Sequence, residues 1–145
     1  MASVFEGTWE GTQPIGEGEG FANFCKAMKT EQKLIDEYSK VTMGIKYAVD
    51  KATGKWTVSV LVKGDVIKST EFELGKEFET KGLDGKVYKC ETTMNGCESE
   101  ESAVPTDGSS PGTKTKRSIK DDIMTVKSWK ADDETVFMLS TMKRK

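Results

Sequence analysis

The alternation of apolar and polar positions divides the chain into one strand, a pair of short helices and a long series of strands. Phe5, Gly7 and Trp9 alternate with polar residues and predict a first strand over residues 4–13. From residue 45 onward, apolar residues again recur at every second position, in runs separated by short turn sequences. Ten strands are predicted in all, and their short hairpin loops favour an antiparallel meander.

The segment after the first strand has the period of helices. Two short helices there each have one apolar side, formed by Phe21, Phe24, Cys25 and Met28 in the first and by Leu34, Ile35, Tyr38 and Val41 in the second. Thr30 is the predicted N-cap of the second helix. Helices this short are not stable alone, so the segment, about residues 21–42, is expected to dock on an apolar surface.

A sheet with this order of strands must close on itself or leave two exposed edges. The sequence therefore predicts a mainly β fold, a ten-stranded antiparallel up-and-down β-barrel (calycin-like) with a helix-turn-helix lid after the first strand. A barrel of this size can hold one small ligand. The length of 145 residues predicts a single domain, residues 1–145. A chain that is 35% hydrophobic and 32% charged suits a barrel around a partly polar cavity.

Composition excludes several classes of function. The net charge of −2 without a basic stripe argues against nucleic acid as a partner. The absence of histidine removes the commonest general base and metal ligand. No motif for a nucleotide, a metal or an activated nucleophile is present. We therefore expect no catalytic residue, no metal, no cofactor and no enzymatic activity.

The ends of the chain and its cysteines bear on location. The N-terminal segment lacks the basic and apolar regions of a secretory signal, although a trimmed secreted form stays open. A hairpin turn at Asn95-Gly96 would place Cys90 opposite Glu101, so a Cys90–Cys97 disulfide would need another register. All three cysteines are expected to be reduced thiols in a cytoplasmic protein. A redox role for Cys90 and Cys97 is the alternative.

Arg117 is the residue that points most directly to a binding site. In the predicted strand 113–120, alternation puts Thr115 and Arg117 on the face opposite a row of lysines, so both should point inward. A buried guanidinium needs a partner, and the carboxylate of a ligand is the natural one. An inward glutamate, a network of water molecules or an outward arginine after a register slip are the alternatives.

The rest of the pocket is expected to be apolar and aromatic. Its candidate residues are Tyr47, Trp56, Phe72, Phe78, Met94 and Met138, with Phe24, Met28, Leu34 and Tyr38 contributed by the lid. For each of these residues, ordinary core packing is the alternative. Phe5 and Trp9 are expected to pack at the floor of the barrel.

The segment Phe5-Glu6-Gly7-Thr8-Trp9, the helix Phe21–Met28 and the order of the strands together resemble the intracellular lipid-binding proteins. This family includes fatty-acid-binding and retinoid-binding proteins, and the resemblance implies a carrier of one small hydrophobic ligand. It also places Arg117 at the position of an inward arginine in the eighth strand. Many members add an Arg-x-Tyr pair in the last strand, which the segment Thr135–Lys143 lacks.

The orientation of the last strand is open in the sequence. One alternation points Val136, Met138, Ser140 and Met142 inward, and the other points Phe137, Leu139 and Thr141 inward. A hydroxyl of Ser140 or Thr141 could then join Thr115 beside Arg117. Arg144 lies too near the end of the chain to replace the missing arginine.

A long-chain fatty acid is thus the expected ligand, and a retinoid or another less charged lipophile is the first alternative. A barrel retained as a structural or protective protein is the second. In similar proteins the lid meets anionic membranes, so transient contact through the lid lysines is implied, with a solvated helix face as the alternative. The protein is expected to be a monomer.

Overall fold

A computed structural model describes residues 3–145 of the chain. Met1 and Ala2, which the predicted domain includes, lie outside the described residues. In chain order the elements are β1 Gly7–Gly11, a 3-10 turn Ile15–Glu17, α1 Phe21–Ala27, α2 Gln32–Tyr38, β2 Met43–Asp50, β3 Lys55–Val62, β4 Asp65–Phe72, β5 Phe78–Lys81, β6 Val87–Asn95, β7 Glu98–Pro105, β8 Thr113–Lys120, β9 Ile123–Lys130 and β10 Asp133–Arg144.

The strands form one antiparallel sheet that curls into a nearly closed barrel. Their order is β4-β3-β2-β1-β10-β9-β8-β7-β6-β5, so β1 lies between β2 and β10 and joins the two halves of the meander. Within residues 3–145, no backbone ladder joins β4 to β5. Side chains bridge this gap instead: Thr70 and Thr80 share a hydrogen bond of 2.9 Å, and Phe72 stacks on Phe78. The predicted barrel and lid are confirmed.

The predicted start of the second helix is wrong by one residue. Glu31, not Thr30, is the N-cap of α2, and no side-chain hydrogen bond caps the helix. Lys29 ends α1 in the left-handed conformation, with φ of 54°. The N–H of Thr30 then donates to the carbonyl of Cys25 at 2.9 Å, and that of Lys29 donates to Lys26 at 3.2 Å. This pair of bonds ends the first helix, so Thr30 is part of its terminus.

The predicted register of the β6–β7 hairpin is also wrong. Asn95 pairs with Glu98, which leaves Gly96 and Cys97 as the two turn residues. Gly96 has φ of 62° at the first turn position, where a type II′ turn favours glycine. Cys90 therefore lies opposite Ala103 rather than Glu101. The three cysteines are all free thiols.

The floor of the barrel is built from the two ends of the described chain. Phe5 and Trp9 are fully buried, and the indole N–H of Trp9 donates to the carbonyl of Phe5 at 3.1 Å. The guanidinium of Arg144 lies 4.2 Å above the Trp9 ring, where cation–π attraction operates. Arg144 also donates to the carbonyl of Glu6 at 2.8 Å and pairs with Asp122 at 2.9 Å. Arg144 therefore closes the floor and does not replace the missing arginine of the last strand.

Gly20 lies where the first helix of the lid approaches the backbone of β10 closely. Its φ is 79°, and a Cβ at this position would collide with the carbonyl oxygen of Phe137 on β10. Gly54 has a similar φ of 77°, but a Cβ there would meet nothing within 4 Å. We expect Gly54→Ala to lower the free energy of unfolding by about 1 kcal/mol through backbone strain alone. Gly20→Ala should lower it clearly more, because α1 must also shift.

Urea unfolding of the two variants, followed by tryptophan fluorescence, measures both losses. An equal loss in the two variants would show that the close approach of α1 to β10 contributes nothing to stability.

Candidate functional site

Two adjoining cavities lie inside the barrel. The larger, of about 470 Å³, lies beneath the lid, and its polar lining residues include Lys68, Thr80, Asp84, Tyr88, Glu101 and Thr113. The smaller, of about 200 Å³, has Ile45, Val60, Arg117, Val126, Ser140 and Met142 among its walls. Ile15 and Met43 line both cavities. A volume of 470 Å³ lies within the range of small-molecule sites, about 300–1,000 Å³.

The lid supplies an apolar roof to the larger cavity. Met28, Leu34 and Tyr38, three of the four predicted lid residues, line this cavity. Phe24, the fourth, is buried but is not part of the cavity wall. Met138, which was predicted for the pocket, lines the larger cavity from β10.

Arg117 points into the barrel, as its strand position predicted. β8 pairs with β7 and β9 in continuous register, which sets Arg117 beside Ser99 on one side and Val126 on the other. Its side chain is 14% exposed, and Nη1 donates to Oε2 of Glu101 at 3.5 Å. An inward glutamate is therefore present beside the guanidinium. Burial alone would lower the pKa of Arg117, but the neighbouring Tyr47 and Glu101 raise it overall, so the side chain stays cationic.

Three buried polar atoms in the barrel interior have no hydrogen-bond partner among the described residues. They are Nε of Arg117, Oη of Tyr47 and Oγ of Ser99. Ser99 lies directly across from Arg117, and Tyr47 is near enough for the charge of Arg117 to act on its pKa. Burial, the larger effect, raises the pKa of Tyr47. Native proteins rarely leave such groups unpaired, so these three atoms mark a polar site.

The hydroxyl groups predicted around Arg117 differ in whether they are free to bond to a ligand. Thr115 is buried, and its hydroxyl bonds with that of Ser128 at 2.9 Å. In β10, Ser140 lies opposite Val126 and lines the same cavity as Arg117. Thr141 is exposed and bonds with Thr12 at 2.8 Å. The structure thus has the first of the two orientations of the last strand, with Ser140 inward.

The predicted aromatic pocket residues form a continuous row of rings. Tyr47 meets Trp56 edge-on at 6.2 Å, Trp56 stacks on Phe72 at 6.5 Å, and Phe72 stacks on Phe78 at 5.4 Å. Phe78 and Met94 pack against the same core cluster. The walls of both interior cavities described above lack all five of the predicted residues Tyr47, Trp56, Phe72, Phe78 and Met94. In the described structure these five residues belong to the core cluster or pack against it.

The sequence pattern did not predict a place in the site for four residues: Lys68, Tyr88, Ser99 and Glu101. Tyr88 donates to the carboxylate of Asp84, and burial together with this bond raises the pKa of Tyr88. Ser99 and Glu101 lie on β7, whose acidic sequence resembles an exposed strand. The turn type at Gly96 was the available signal, because it sets Ser99 beside Met94 and therefore inside the barrel.

The described residues contain no group of three or more His, Cys, Asp or Glu side chains that could hold a metal ion. No helix in residues 3–145 is long and apolar enough to cross a membrane.

The nearly closed barrel and the helical pair after its first strand define a calycin-like barrel fold, with a cavity beneath the helical pair. No family model matches the chain. The chain is 32% identical over 88 residues to a liver fatty acid-binding protein of Schroederichthys bivius. The match covers 60% of this chain and 64% of that protein, so less than two thirds of this curated relative is spanned.

Two solved structures show how far the fold is shared. The Schistosoma mansoni fatty acid binding protein in complex with arachidonic acid superposes with a TM-score of 0.80 at 20% identity, over 97% of this chain and 96% of that one. Secretory abundant heat soluble protein 4 from Ramazzottius varieornatus superposes with a TM-score of 0.83 at 18% identity, over 100% and 97%. The sequence match and these fold likenesses agree with the resemblance to the intracellular lipid-binding proteins that the sequence motifs indicate.

Thiol chemistry distinguishes the cavity wall from the surface. Burial, aided by the charge of Glu101, raises the pKa of Cys90 to about 11, while Cys97 is exposed in its turn. At pH 7 iodoacetamide should therefore label Cys97 quickly and Cys90 very slowly. Labelling of Cys90 should speed up about tenfold for each pH unit below 11, because the thiolate is the reacting form.

Mass spectrometry of labelled peptides measures both rates, and Cys97→Ser should remove the fast reaction. Equally fast labelling of Cys90 at pH 7 would contradict its burial. It would favour a reactive cysteine in the cavity wall, which is the kind of group that an enzyme needs.

Proposed function

We propose that this protein binds and carries one long-chain fatty acid inside the barrel. The acyl chain occupies the larger cavity under the lid, and the carboxylate lies at Arg117. The observation that carries the proposal is the set of unpaired buried atoms on Arg117, Tyr47 and Ser99, of which Arg117 lines the smaller, mostly apolar cavity. The proposed site also keeps Thr115 and Ser140 as neighbours of the headgroup.

A carboxylate suits these three groups. Nε–H of Arg117 can only donate, and the hydroxyls of Tyr47 and Ser99 can also donate. A carboxylate accepts several hydrogen bonds at once, and bonds to a charged guanidinium are stronger than neutral ones. Tyr47, from β2, then gives the headgroup a tyrosine hydroxyl, which the last strand does not supply because it lacks an Arg-x-Tyr pair.

The tail supplies most of the affinity. Each methylene that leaves water contributes about 0.8 kcal/mol before the cost of ordering the ligand. Arg117 must release part of its interaction with Glu101 to hold a carboxylate, so its net contribution is smaller. Arg117 therefore sets the orientation of the ligand more than the strength of its binding.

The relatives support the same class of ligand. One is named as a liver fatty acid-binding protein, and another was solved with arachidonic acid. We propose that this chain likewise acts as a carrier rather than as an enzyme, as a monomer in the cytoplasm. Lys26, Lys29 and Lys33 are exposed on and beside the lid, which supports transient contact with anionic membranes.

The Arg117–Glu101 pair favours one alternative, a less charged lipophile such as a retinoid. Glu101 offsets the positive charge of Arg117, with 3.5 Å between Nη1 and Oε2. A neutral hydroxyl or carbonyl group could bond to Nε and Tyr47 without separating this pair. Binding of retinol in preference to a fatty acid would favour this alternative.

A protective barrel without lipid transport is the other alternative. The fold likeness to a secretory abundant heat soluble protein and the missing Arg-x-Tyr pair motivate it. Indifference to every fatty acid and retinoid tested would favour it over a carrier.

Variants of the ion pair test the position of the headgroup. Glu101→Gln removes the competing charge, so the affinity for hexadecanoic acid should rise about threefold or more. The double variant Arg117→Gln with Glu101→Gln removes the cation without leaving a buried carboxylate unpaired. Its affinity for hexadecanoic acid should fall about tenfold, while retinol affinity changes little.

Isothermal titration of both ligands measures these changes, with Lys114→Gln as the control because Lys114 is exposed on the same strand. Unchanged binding of hexadecanoic acid by the double variant would move the headgroup away from Arg117.

Tyr47→Phe separates binding from stability. The hydroxyl of Tyr47 has no partner among the described residues, so its loss should not lower the free energy of unfolding. Affinity for hexadecanoic acid should fall about fivefold, the value of one hydrogen bond of about 1 kcal/mol. Thr115→Val should do the opposite and destabilise the fold by about 1 kcal/mol, because it leaves Ser128 unpaired.

Urea unfolding and ligand titration of the two variants measure the contrast. A Tyr47→Phe variant with reduced stability and unchanged affinity would assign this hydroxyl to the fold instead.

A further inference from the structure

A second cation faces the barrel interior. Lys68 on β4 pairs with Val60 of β3 and lies two and four residues before Thr70 and Phe72 on the same face. It is half-buried and lines the larger cavity, whereas Arg117 lines the smaller one. The two cations thus belong to different parts of the interior.

Lys68 lacks the kind of partner that Arg117 has. Among the described residues, no carboxylate oxygen lies within 4 Å of its ammonium group, whereas Glu101 pairs with Arg117. The other two charged residues of the larger cavity, Asp84 and Glu101, are engaged with Tyr88 and with Arg117. Among the described residues, the ammonium of Lys68 therefore has no ion-pair partner in a mostly apolar cavity. Such a charge is costly unless a ligand or water pairs with it.

Lys68 and Arg117 also act on different neighbours. The charge of Lys68 reaches Cys90, whose pKa it lowers against the larger effect of burial. The charge of Arg117 acts on Tyr47, and Glu101 acts on both Tyr47 and Cys90. Glu101 lines the larger cavity together with Lys68, and it pairs with Arg117. Lys68 lies in the strand that borders the gap between β4 and β5, next to the bridging pair Thr70 and Thr80.

We propose that Lys68 forms a second polar subsite, which holds an oxygen-bearing group at the far end of the ligand. Two cations that line two adjoining and mostly apolar cavities fit a fatty acid with a second polar group, either a terminal carboxylate or a terminal hydroxyl. Arg117 holds one end and the ammonium of Lys68 donates to the other. This inference rests on the proposed function, because it assumes that the first carboxylate lies at Arg117.

Matched ligands isolate the second subsite. Hexadecanoic acid and hexadecanedioic acid have the same chain length and differ in one terminal carboxylate. The unmodified protein should bind the dicarboxylic acid at least as tightly as the monocarboxylic acid. Lys68→Met keeps the length and apolar stem of the side chain, so it should weaken the dicarboxylic acid about tenfold and the monocarboxylic acid less than twofold.

Two controls accompany this comparison. Lys46→Met removes a lysine that is exposed on β2 and should change neither affinity. Lys68→Arg keeps the positive charge and should retain binding of the dicarboxylic acid. Urea unfolding of each variant shows whether the fold is intact, and titration of the monocarboxylic acid reports on the first subsite.

The outcomes separate the two proposals. One outcome would overturn the second subsite alone. In it, the unmodified protein binds the monocarboxylic acid, and Lys68→Met binds the dicarboxylic acid as tightly as the unmodified protein does. An equal loss for both acids in Lys68→Met would also overturn it, because Lys68 would then serve the first carboxylate or the fold. Failure of the unmodified protein to bind either acid would overturn the proposed function, and the second subsite with it.

Discussion

The pairing of β1 with both β2 and β10 is the constraint on which the rest of the structure depends. It turns a meander into a barrel, and so creates an inside that water reaches only in part. Strand alternation then assigns every second side chain to that inside, whether the side chain is apolar or charged. The side chains of Arg117, Glu101 and Lys68 point into the interior because they occupy the inward positions of strands in a nearly closed barrel.

Polar groups inside the barrel divide into those that satisfy one another and those that do not. Thr70 with Thr80 and Thr115 with Ser128 form closed pairs between strands. These pairs stabilise the barrel without needing a ligand. Among the described residues, three of the four buried side-chain atoms without a hydrogen-bond partner belong to Arg117, Tyr47 and Ser99, where the chain itself supplies too few acceptors. This division distinguishes the part of the polar interior that serves the fold from the part suited to binding.

The sequence predicts the fold better than it predicts the site. The strand predicted over residues 113–120 matches the observed β8 residue for residue, because its lysines share one face. The inward direction of Arg117 follows from the same pattern. Its nearness to Tyr47 does not, since β2 and β8 meet across the interior only after the barrel has closed. Lys68 was missed because lysine in a strand ordinarily faces solvent.

The contacts at the floor also have a consequence for how the protein is made. Thr12 and Thr141, 129 positions apart, share a hydrogen bond, and Trp9 lies under Arg144. While the ribosome is still synthesising β10, β1 has only one of its two neighbours, and its other edge lies open. The helices and the first hairpins can form early, but the interior becomes an enclosed compartment only after the last strand has emerged. Folding dominated by such distant pairings is slow, and the newly made chain passes through a stage with an unpaired edge.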